Sequence, residues 1–433
     1  MENIINIAEL TDETNLIDIA KTLSDYEDNQ ILKLCTALTD EKLGMILEQA
    51  EEKEQLRIIN FLTNEKILKI FSYMQKDDIV DILGMLATGK RKQLINLMKN
   101  GDRTIIEQLL GYREDCAGGI MTTEYIAISN KLDVKGTLKK IKEISPKTEL
   151  LDTIFVMNEK KQLVGTVELR DILTVDENIP IDEITNKNYI YVEPEMDQED
   201  VALTATKYDL TVIPVVNKNM AMLGIITIDD IMDVMIEEQT EDVLKMGGVA
   251  KEETIDSSIG ESIKMRFPWL LINLVTAFLA SMTVKAFEST IAQVVALSAI
   301  MSIVTGMGGN AGTQTVSIII RNIAMGKVEL KDAWPLLRKE VLLGLINGAG
   351  IGIITGLVVG FIYGNMYLGI IIFLAMIGNC IVAGVSGLII PLVLDKMHID
   401  PALSSSIFLT TATDILGFFI FLSLANAFLP FLI

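Results

Sequence analysis

One carboxylate lies deep within an apolar stretch near the C-terminus. Asp414 is embedded in IFLTTATDILGFFIFLSL, with no basic residue nearby. An ionisable group at membrane depth is costly unless a pore, a cation or a partner compensates for it. Ser406, Thr410 and Asp414 follow at intervals of four, which places three oxygen-bearing side chains on one helical face. That face could line a water-filled cation path; the alternative is a protonated or internally hydrogen-bonded carboxyl that only fixes helix packing.

Two glycine-rich stretches accompany this segment. In IVTGMGGNAGTQTVS, four glycines between Gly306 and Gly312 disfavour a regular buried helix, while Asn310 and its polar neighbours supply oxygens. This pattern predicts a helix break or a close helix contact at a pore, with Asn310 as a candidate ligand. The second stretch has a glycine every four residues from Gly344 to Gly360. It predicts tight helix packing and no role in transport.

The densest acidic run is IDDIMDVMIEEQTED, which ends before Lys245. Its acids sit at helical spacing, where like charges repel and a divalent cation would relieve the repulsion. An ordinary solvated face is an equally good explanation of the run alone. Its position before the apolar segments, with further acids able to approach, favours a metal site, and oxygen ligands without His or Cys favour Mg²⁺ or Ca²⁺. One face of the run carries Asp230, Asp233, Glu237 and Glu241; Asp229, Glu238 and Asp242 flank it; the approaching acids are Asp197, Glu199, Asp209, Asp77 and Asp81.

Charge is unevenly divided along the 433 residues. Half of the residues are hydrophobic and the net charge is −21, yet from Ile263 onward nine basic residues stand against seven acids. The entire negative surplus therefore precedes Ile263, and such a surface repels nucleic acid and accumulates cations. A single soluble core is excluded, and the C-terminal part is predicted to be a membrane domain in a lipid bilayer.

Five apolar runs are each long enough to cross a bilayer core of about 30 Å. Eight of the nine basic residues in this part flank the side on which the N-terminal part lies, which agrees with the positive-inside rule. The N-terminal part is predicted to be cytoplasmic, because the start of the chain lacks a secretion signal, and the C-terminus to lie outside the cell membrane. The predicted spans are Trp269–Phe287, Ile291–Gly312, Val341–Tyr363, Tyr367–Leu394 and Leu403–Phe428.

Two internal repeats organise the N-terminal part. Thr39–Leu62, Thr63–Leu86 and Ala87–Leu110 are consecutive blocks of 24 residues with two apolar stripes each, typical of a helical-hairpin solenoid. Beyond them, GTVELRDIL and GIITIDDIM match at an offset of 59 and follow β-rich runs. These two halves resemble a tandem CBS pair.

The predicted fold is therefore multidomain: an all-α helical-hairpin solenoid, an α/β tandem CBS pair, a connecting helix and an all-α five-span transmembrane domain. The predicted ranges are 1–117, 118–246, 247–264 and 265–433. The three cysteines are isolated, which argues against disulfides or zinc. No Walker A sequence, Ser/His/Asp set or HExxH occurs, so we expect neither an ATP-driven pump nor an enzyme.

This order of elements, covering nearly the whole chain, resembles the MgtE family of magnesium transporters. The most specific stretches are GGIMTTEYIAI, MDQEDV, YDLTVIPVV, TIDDIMDV, GMGGNAGTQ and DPALSSSIFLTTATDILG. The resemblance implies a homodimer whose pore is built from the second and fifth spans of both protomers, with Asp414 as the cation-selecting carboxylate. Where family members have an asparagine and a small apolar residue near that carboxylate, this chain has Ser406 and Thr410, so its ion selectivity could differ in detail.

The resemblance also implies ligands in the cytoplasmic part. Arg170 and Asp171 match a nucleotide-binding pair for ATP, although Thr153 stands where an aromatic residue would stack on adenine. Glu288, after the first span, is another family position. The implied Mg²⁺-sensing acids are Asp197, Glu199, Asp209, Asp230, Asp233, Glu238, Glu241 and Asp242, with Asp77 and Asp81.

The functional prediction is a Mg²⁺ channel or transporter that admits Mg²⁺ down its electrochemical gradient and is closed by Mg²⁺ bound to the acidic cytoplasmic faces. One alternative is a cation-coupled secondary transporter of divalent metals with Asp414 as the relay. Another is a metal sensor that signals to a partner, with the membrane domain as an anchor.

Overall fold

The computed structural model describes residues 16–144, 152–250, 253–255 and 257–432. The prediction that the chain lacks a secretion signal concerns its first residues, which lie outside these ranges. The chain divides into two compact units, Met1–Met235 and Ile236–Ile433, each of which packs mainly within itself.

The described part of the first unit begins with eight α-helices, and each predicted 24-residue block holds two of them. Helices two apart along the chain pack together, α3 on α5, α4 on α6 and α6 on α8. This is the stacking of a helical-hairpin solenoid, as predicted. The helices are α1 (Leu16–Lys21), α2 (Asp28–Ala37), α3 (Asp40–Gln49), α4 (Glu52–Phe61), α5 (Asn64–Phe71), α6 (Lys76–Met85), α7 (Thr88–Leu97) and α8 (Asn100–Leu109).

Capping and burial explain why the repeat folds this way. Thr39 and Thr63 stand at equivalent positions, and each side chain accepts a hydrogen bond from the backbone N–H three residues later, at 3.3 and 3.4 Å. Both threonines thus satisfy a donor that the first turn of the helix would otherwise leave free. The third block begins with Ala87, which has no such cap. The equivalent apolar positions Ile46, Ile70 and Leu94 are all fully buried.

The rest of the first unit contains two small sheets with their helices. In the first sheet β1 pairs parallel with β2, which pairs antiparallel with β3; in the second sheet β4 and β5 are antiparallel. The strands are β1 (Ala127–Ser129), β2 (Thr153–Met157), β3 (Leu163–Glu168), β4 (Val212–Val216) and β5 (Met222–Thr227). The helices are α9 (Val134–Ile144), α10 (Leu169–Thr174), α11 (Ile181–Ile184), α12 (Gln198–Tyr208) and α13 (Ile228–Met246), the last of which continues past Met235 into the second unit.

Two glycines occupy equivalent positions in the two sheets, as the sequence offset of 59 predicted. Gly165 in β3 and Gly224 in β5 each pair with a valine of the preceding strand, next to a register shift. A Cβ atom at Gly165 would lie 2.4 Å from the Asn186 carbonyl oxygen, and one at Gly224 would lie 2.6 Å from that of Thr122. Both positions therefore require glycine because another segment of backbone crosses there.

The second unit consists of helices. Within the described residues, four are long and apolar enough to cross a membrane: Ile259–Ala286, Leu330–Tyr363, Met366–Lys396 and Ser405–Ala427. A fifth long helix, α16, contains the glycine-rich polar stretch, which lowers its hydropathy. The helices are α14 (Ile259–Ala286), α15 (Glu288–Gln293), α16 (Ala296–Ala324), α17 (Ala333–Tyr363), α18 (Met366–Lys396), α19 (Pro401–Ala427) and α20 (Leu429–Leu432).

Two predicted segments have different bounds in the structure. The second span, predicted at Ile291–Gly312, is α16, which starts at Ala296 and continues through its glycines without a break. Within the predicted connecting segment 247–264, the described residues become helical at Ile259, where α14 begins; α13 ends at Met246, and Gly248 adopts a φ of 73°. The described residues from Gly247 to Ser258 lie outside helices. A Gly-Gly pair ends a helix readily, since glycine adopts the left-handed backbone at little cost.

The glycine stripe of α17 faces α18. Gly344, Gly348, Gly352 and Gly356 are buried, and a Cβ on any of them would come within 2.7 to 3.0 Å of α18 backbone atoms. Gly360, the last of the stripe, approaches nothing closer than 3.8 Å. The predicted tight helix packing is therefore found within one protomer along four of the five positions.

Candidate metal sites

The predicted oxygen-bearing face lies on α19, a continuous helix. Asp400 caps its N-terminus by accepting a hydrogen bond from the Ala402 N–H at 2.7 Å. Thr410 is exposed and donates its hydroxyl proton to the Ser406 carbonyl at 2.8 Å, while Ser406 and Asp414 are half-buried. Within the part of the chain that the structure describes, no hydrogen-bond donor or basic side chain contacts the Asp414 carboxylate.

Helix α16 approaches α19 beside this face. A Cβ at Gly312 would lie 2.5 Å from Leu409 Cδ1, so the two helices touch next to Thr410. Asn310, two residues before Gly312, is exposed, as is Thr313. The close helix contact predicted from the glycines is found, and it places the polar stretch of α16 alongside the polar face of α19.

Glu340, a carboxylate that was not among the predicted site residues, lies between α16 and α17. Thr315 on α16 donates to Glu340 Oε2 on α17 at 3.0 Å. Glu340 immediately precedes the predicted third span, so an acid at the edge of an apolar run was the available signal. The bond links α16 to the α17–α18 pair.

The acids of the first unit crowd around one side chain. Burial, followed by the negative charges of Asp77, Glu48, Asp81 and Asp230, raises the pKa of Asp78 to about 9. Two predicted solenoid acids, Asp77 and Asp81, thus lie close enough to the predicted CBS acid Asp230 for their fields to act on the same carboxyl. Asp78 itself was not among the predicted site residues, although it lies between Asp77 and Asp81 in KDDIVD.

Several of the predicted acids also have local structural tasks. Asp197 caps α12 by accepting from the Glu199 N–H at 3.0 Å, and Asp209 ends that helix in the left-handed region, with a φ of 52°. Asp230 accepts from the Thr227 hydroxyl at 2.6 Å, at the start of α13. Across the described ranges, no group of three or more His, Cys, Asp or Glu side chains forms a ready-made metal site.

The end of α13 is held to the start of α19 by a basic residue. Lys245 forms ion pairs with Glu241, one turn before it, and with Asp400. Burial lowers the pKa of Lys245, but the hydrogen bonds to Asp400 and Glu241 outweigh it, and the pKa is raised. Burial and then the charge of Asp400 raise the pKa of Asp242 to about 6. Lys245 and Asp400 were not among the predicted site residues.

Apolar packing supports the same contact. Met246, the last residue of α13, packs against a small buried cluster from α16 and α19. The members of that cluster are Val316, Ile320, Ala402 and Leu409. Within the second unit, the end of the acidic helix is therefore seated on both helices that carry the predicted pore residues.

Among the remaining predicted positions, Glu238 belongs to the cluster around Lys245, because its charge helps to raise the pKa of Asp242. Glu288 is exposed at the first residue of α15. Arg170 donates to Glu168 Oε2 at 2.9 Å and lies 3.9 Å from Asp171. Thr153 begins β2, opposite Glu168. The exposed Asp233 lies along α13, as does the half-buried Glu238.

Long apolar helices, oxygen-bearing side chains on two touching helices and clusters of acids together indicate a membrane transport protein for divalent cations. The profile of the "Divalent cation transporter" domain of MgtE matches residues 301–424, that of the "MgtE intracellular N domain" matches 14–115, and that of the CBS domain matches 181–237. The chain belongs to the MgtE family of magnesium transporters, as its motifs predicted.

Named relatives agree with this assignment. The chain is 34% identical to the magnesium transporter MgtE of Enterococcus faecalis over 76% of this chain and 72% of the relative. It is 32% identical to that of Bacillus subtilis over 77% and 74%. Among solved structures, the cytosolic domain of the Mg²⁺ channel MgtE in complex with ATP matches with a TM-score of 0.50 and 30% identity, covering 51% of this chain and 91% of that one.

Proposed function

We propose that this protein admits Mg²⁺ through a path lined by α16 and α19, with Asp414 as the carboxylate that attracts and selects the ion. The proposal rests on the surroundings of the Asp414 carboxylate. It stands within an apolar helix, on the same face as Ser406 and Thr410, without a counter-charge among the described residues. A hydrated cation in an aqueous path would supply the missing compensation.

The spacing of the oxygens suits a partly hydrated ion. Side chains four residues apart on a helix are about 6 Å apart along its axis. Mg²⁺ gives up its water reluctantly and is commonly bound through one or two carboxylates with several waters retained. A single carboxylate with hydroxyls one and two turns before it on the helix would therefore hold the ion briefly and let it leave, as conduction demands.

The membrane potential suffices to drive entry. An inside-negative membrane supplies about 2.3 kcal/mol per elementary charge per 100 mV, and so about 4.6 kcal/mol for a divalent ion. No fuel is needed for influx. We place the acidic part in the cytoplasm and the C-terminus outside the cell membrane, because eight of the nine basic residues of the membrane part flank the cytoplasmic side.

We propose that two copies of the chain form the complete path. The polar residues Asn310, Thr313 and Thr410 are exposed on one protomer, and so are most large apolar side chains of α14. An exposed polar helix face inside a membrane is unfavourable unless it lines water. A homodimer with α16 and α19 of both protomers around a common path would meet that condition.

Cytoplasmic Mg²⁺ is proposed to close the path. When it is plentiful, ions bound among Asp77, Asp81 and Asp230 neutralise the field that raises the pKa of Asp78, and the solenoid stays on the CBS pair. Ions at Glu238, Glu241 and Asp242 would likewise hold the end of α13 against α16 and α19. When Mg²⁺ is scarce, the carboxylates repel one another and the open state gains population. The other acids named in the sequence, Asp197, Glu199, Asp209 and Asp233, are proposed as further ligands of these ions.

A nucleotide site is proposed in the first CBS unit. The related cytosolic domain was solved with ATP. Here Arg170 and Asp171 would contact the nucleotide, while Thr153 offers no ring to stack on adenine. Calorimetric titration of the purified protein with ATP, beside an Arg170→Ala variant, tests this. Equal affinity of the two proteins would reject the site.

The central experiment is Mg²⁺ uptake by the purified protein in liposomes that contain a Mg²⁺-sensitive dye. Uptake should follow an imposed inside-negative potential and fall as Mg²⁺ is added to the face that carries the acidic part. Uptake at fixed voltage that depends on a pH or Na⁺ gradient would instead favour a coupled transporter with Asp414 as the relay. Absence of uptake would favour the sensor with a membrane anchor.

A further inference from the structure

A buried carboxamide stands where three membrane helices meet. Asn379 on α18 has no exposed surface, and its Nδ2 donates to the Val304 carbonyl of α16 at 2.8 Å. Its Oδ1 is buried and has no hydrogen-bond partner among the described residues. An apolar side chain of the same shape would avoid the cost of that orphaned oxygen, which makes a purely space-filling role for Asn379 unfavourable.

Two glycines on the neighbouring helices make room for this carboxamide. A Cβ at Gly308 of α16 would lie 2.1 Å from Asn379 Nδ2, and a Cβ at Gly417 of α19 would lie 2.8 Å from it. The side chain thus lies directly between the backbones of α16 and α19, bonded to one and in contact with the other.

The same two glycines neighbour the proposed ion ligands. Gly308 precedes Asn310 by two residues, and Gly417 follows Asp414 by three, less than one helical turn. A change in separation or rotation of α16 and α19 at Asn379 therefore moves Asn310 and Asp414 relative to each other. Helix α18 can impose that geometry, because it is locked along its length to α17.

We propose that Asn379 is a positioning residue for ion selection: its amide bond to Val304 and its wedge between Gly308 and Gly417 set the spacing of the two helices that line the path. The inference rests on the proposed function, since it assumes that α16 and α19 carry the ion. Asn379 itself does not touch the ion.

The test compares Mg²⁺ and Co²⁺ fluxes in liposomes for Asn379→Leu, which keeps the number and branching of the side-chain heavy atoms but removes the donor, and for Cys380→Ala. Cys380 is the next residue of α18 and is equally buried, but it packs on Gly344 and Gly348 of α17. We expect Asn379→Leu to fold and to change the Mg²⁺/Co²⁺ flux ratio by about two- to tenfold, the range of one lost hydrogen bond. The ratio should be unchanged in Cys380→Ala.

An unchanged ratio in a well-folded Asn379→Leu protein would overturn the positioning role. If that variant does not fold, Gly417→Ala supplies the second measurement, because it presses on the carboxamide from the α19 side and should shift the ratio in a folded protein; an unshifted ratio there also overturns the role. Asp414→Asn is assayed in parallel. Lost flux in Asp414→Asn with an unshifted ratio in Asn379→Leu rejects only the positioning role, whereas wild-type flux in Asp414→Asn rejects the path itself.

Discussion

Carboxylates are arranged in opposite ways in the two units of the molecule. In the first unit, Asp78 stands among four other acids whose charges, with burial, raise its pKa to about 9. In the second unit, Asp414 stands alone among hydroxyls within an apolar helix. The solenoid helix α6 and its surroundings collect negative charge, whereas Pro401–Ala427 contains a single charged residue, Asp414.

We propose that this difference corresponds to the difference between sensing an ion and passing it. Several crowded carboxylates gain most when a divalent ion removes their repulsion, so occupancy there changes the stability of the surrounding structure. A single carboxylate flanked by hydroxyls binds more weakly, which allows the ion to leave again. The following predictions test whether the two regions divide the work in this way.

The largest effect is expected at Asp414. Asp414→Asn removes the one negative charge of the path while keeping its size, so Mg²⁺ uptake in liposomes should fall by about a hundredfold or more, the factor for roughly 3 kcal/mol of lost attraction. Asp395→Asn, a neutralised acid at the end of α18, serves as the matched control and should retain uptake. Substantial uptake by a folded Asp414→Asn protein would show that conduction does not depend on the charge of Asp414, and the proposed contrast between the two regions would fail.

A second effect is expected in the sensing region alone. Neutralising Asp230 and Asp233 together should leave maximal uptake intact but raise the internal Mg²⁺ needed for half-inhibition by about tenfold or more, since two ligand charges are lost. Uptake is measured against internal Mg²⁺, with Glu183→Gln, at an exposed position of α11, as the control. Inhibition at the wild-type concentration would count against the sensor.

A smaller effect is expected at Asp78, where the sign follows from its raised pKa. A carboxyl with a folded-state pKa near 9, above its ordinary 3.8, stabilises the fold at low pH and loses that contribution as the pH rises through about 9. Protection of Lys76–Met85 from hydrogen exchange should therefore fall with rising pH when Mg²⁺ is absent.

Asp78→Asn should remove this dependence and stabilise the segment at pH 8 by about 1 to 3 kcal/mol, the cost of one poorly compensated buried group. The exposed Glu65→Gln in α5 is the control. Equal pH slopes for wild type and Asp78→Asn would show that other groups govern the protection.

The smallest effect is expected at Lys245. Lys245→Met keeps the side-chain stem but leaves the acids around Asp400 without their counter-charge, so α13 should be held less firmly on α19. Uptake at low internal Mg²⁺ should rise by about two- to fivefold, because partly exposed ion pairs contribute little more than 1 kcal/mol. Lys396→Met is the control, and unchanged low-Mg²⁺ uptake would show that the apolar seat of Met246 alone holds the helix.

Regular patterns made much of the fold predictable from the sequence. The 24-residue period and its threonine caps predicted the solenoid, and the offset of 59 led to two glycines that the backbone crossings require. The five long helices of the second unit follow the predicted spans, although α16 starts five residues later than predicted. The ion-binding roles of Asp414 and the cytoplasmic acids stay predictions.

What the sequence could not reveal depends on contacts between distant segments. Lys245 and Asp400 are 155 residues apart, and no local pattern pairs them. Asn379 looked like one polar residue in an apolar run, and only the packing of three helices reveals its position between two glycines. The end of α13, by contrast, was visible in the sequence, because Gly247 and Gly248 follow the helix directly.

The close contact of α17 with α18 has a practical consequence. Because four glycines bring the two backbones together, neither helix can slide or rotate past the other without steric overlap. The pair should act as a stationary frame during the transport cycle. Spectroscopic labels placed at its lipid-facing ends would therefore provide an internal ruler against which displacements of α13, α16 and α19 can be measured.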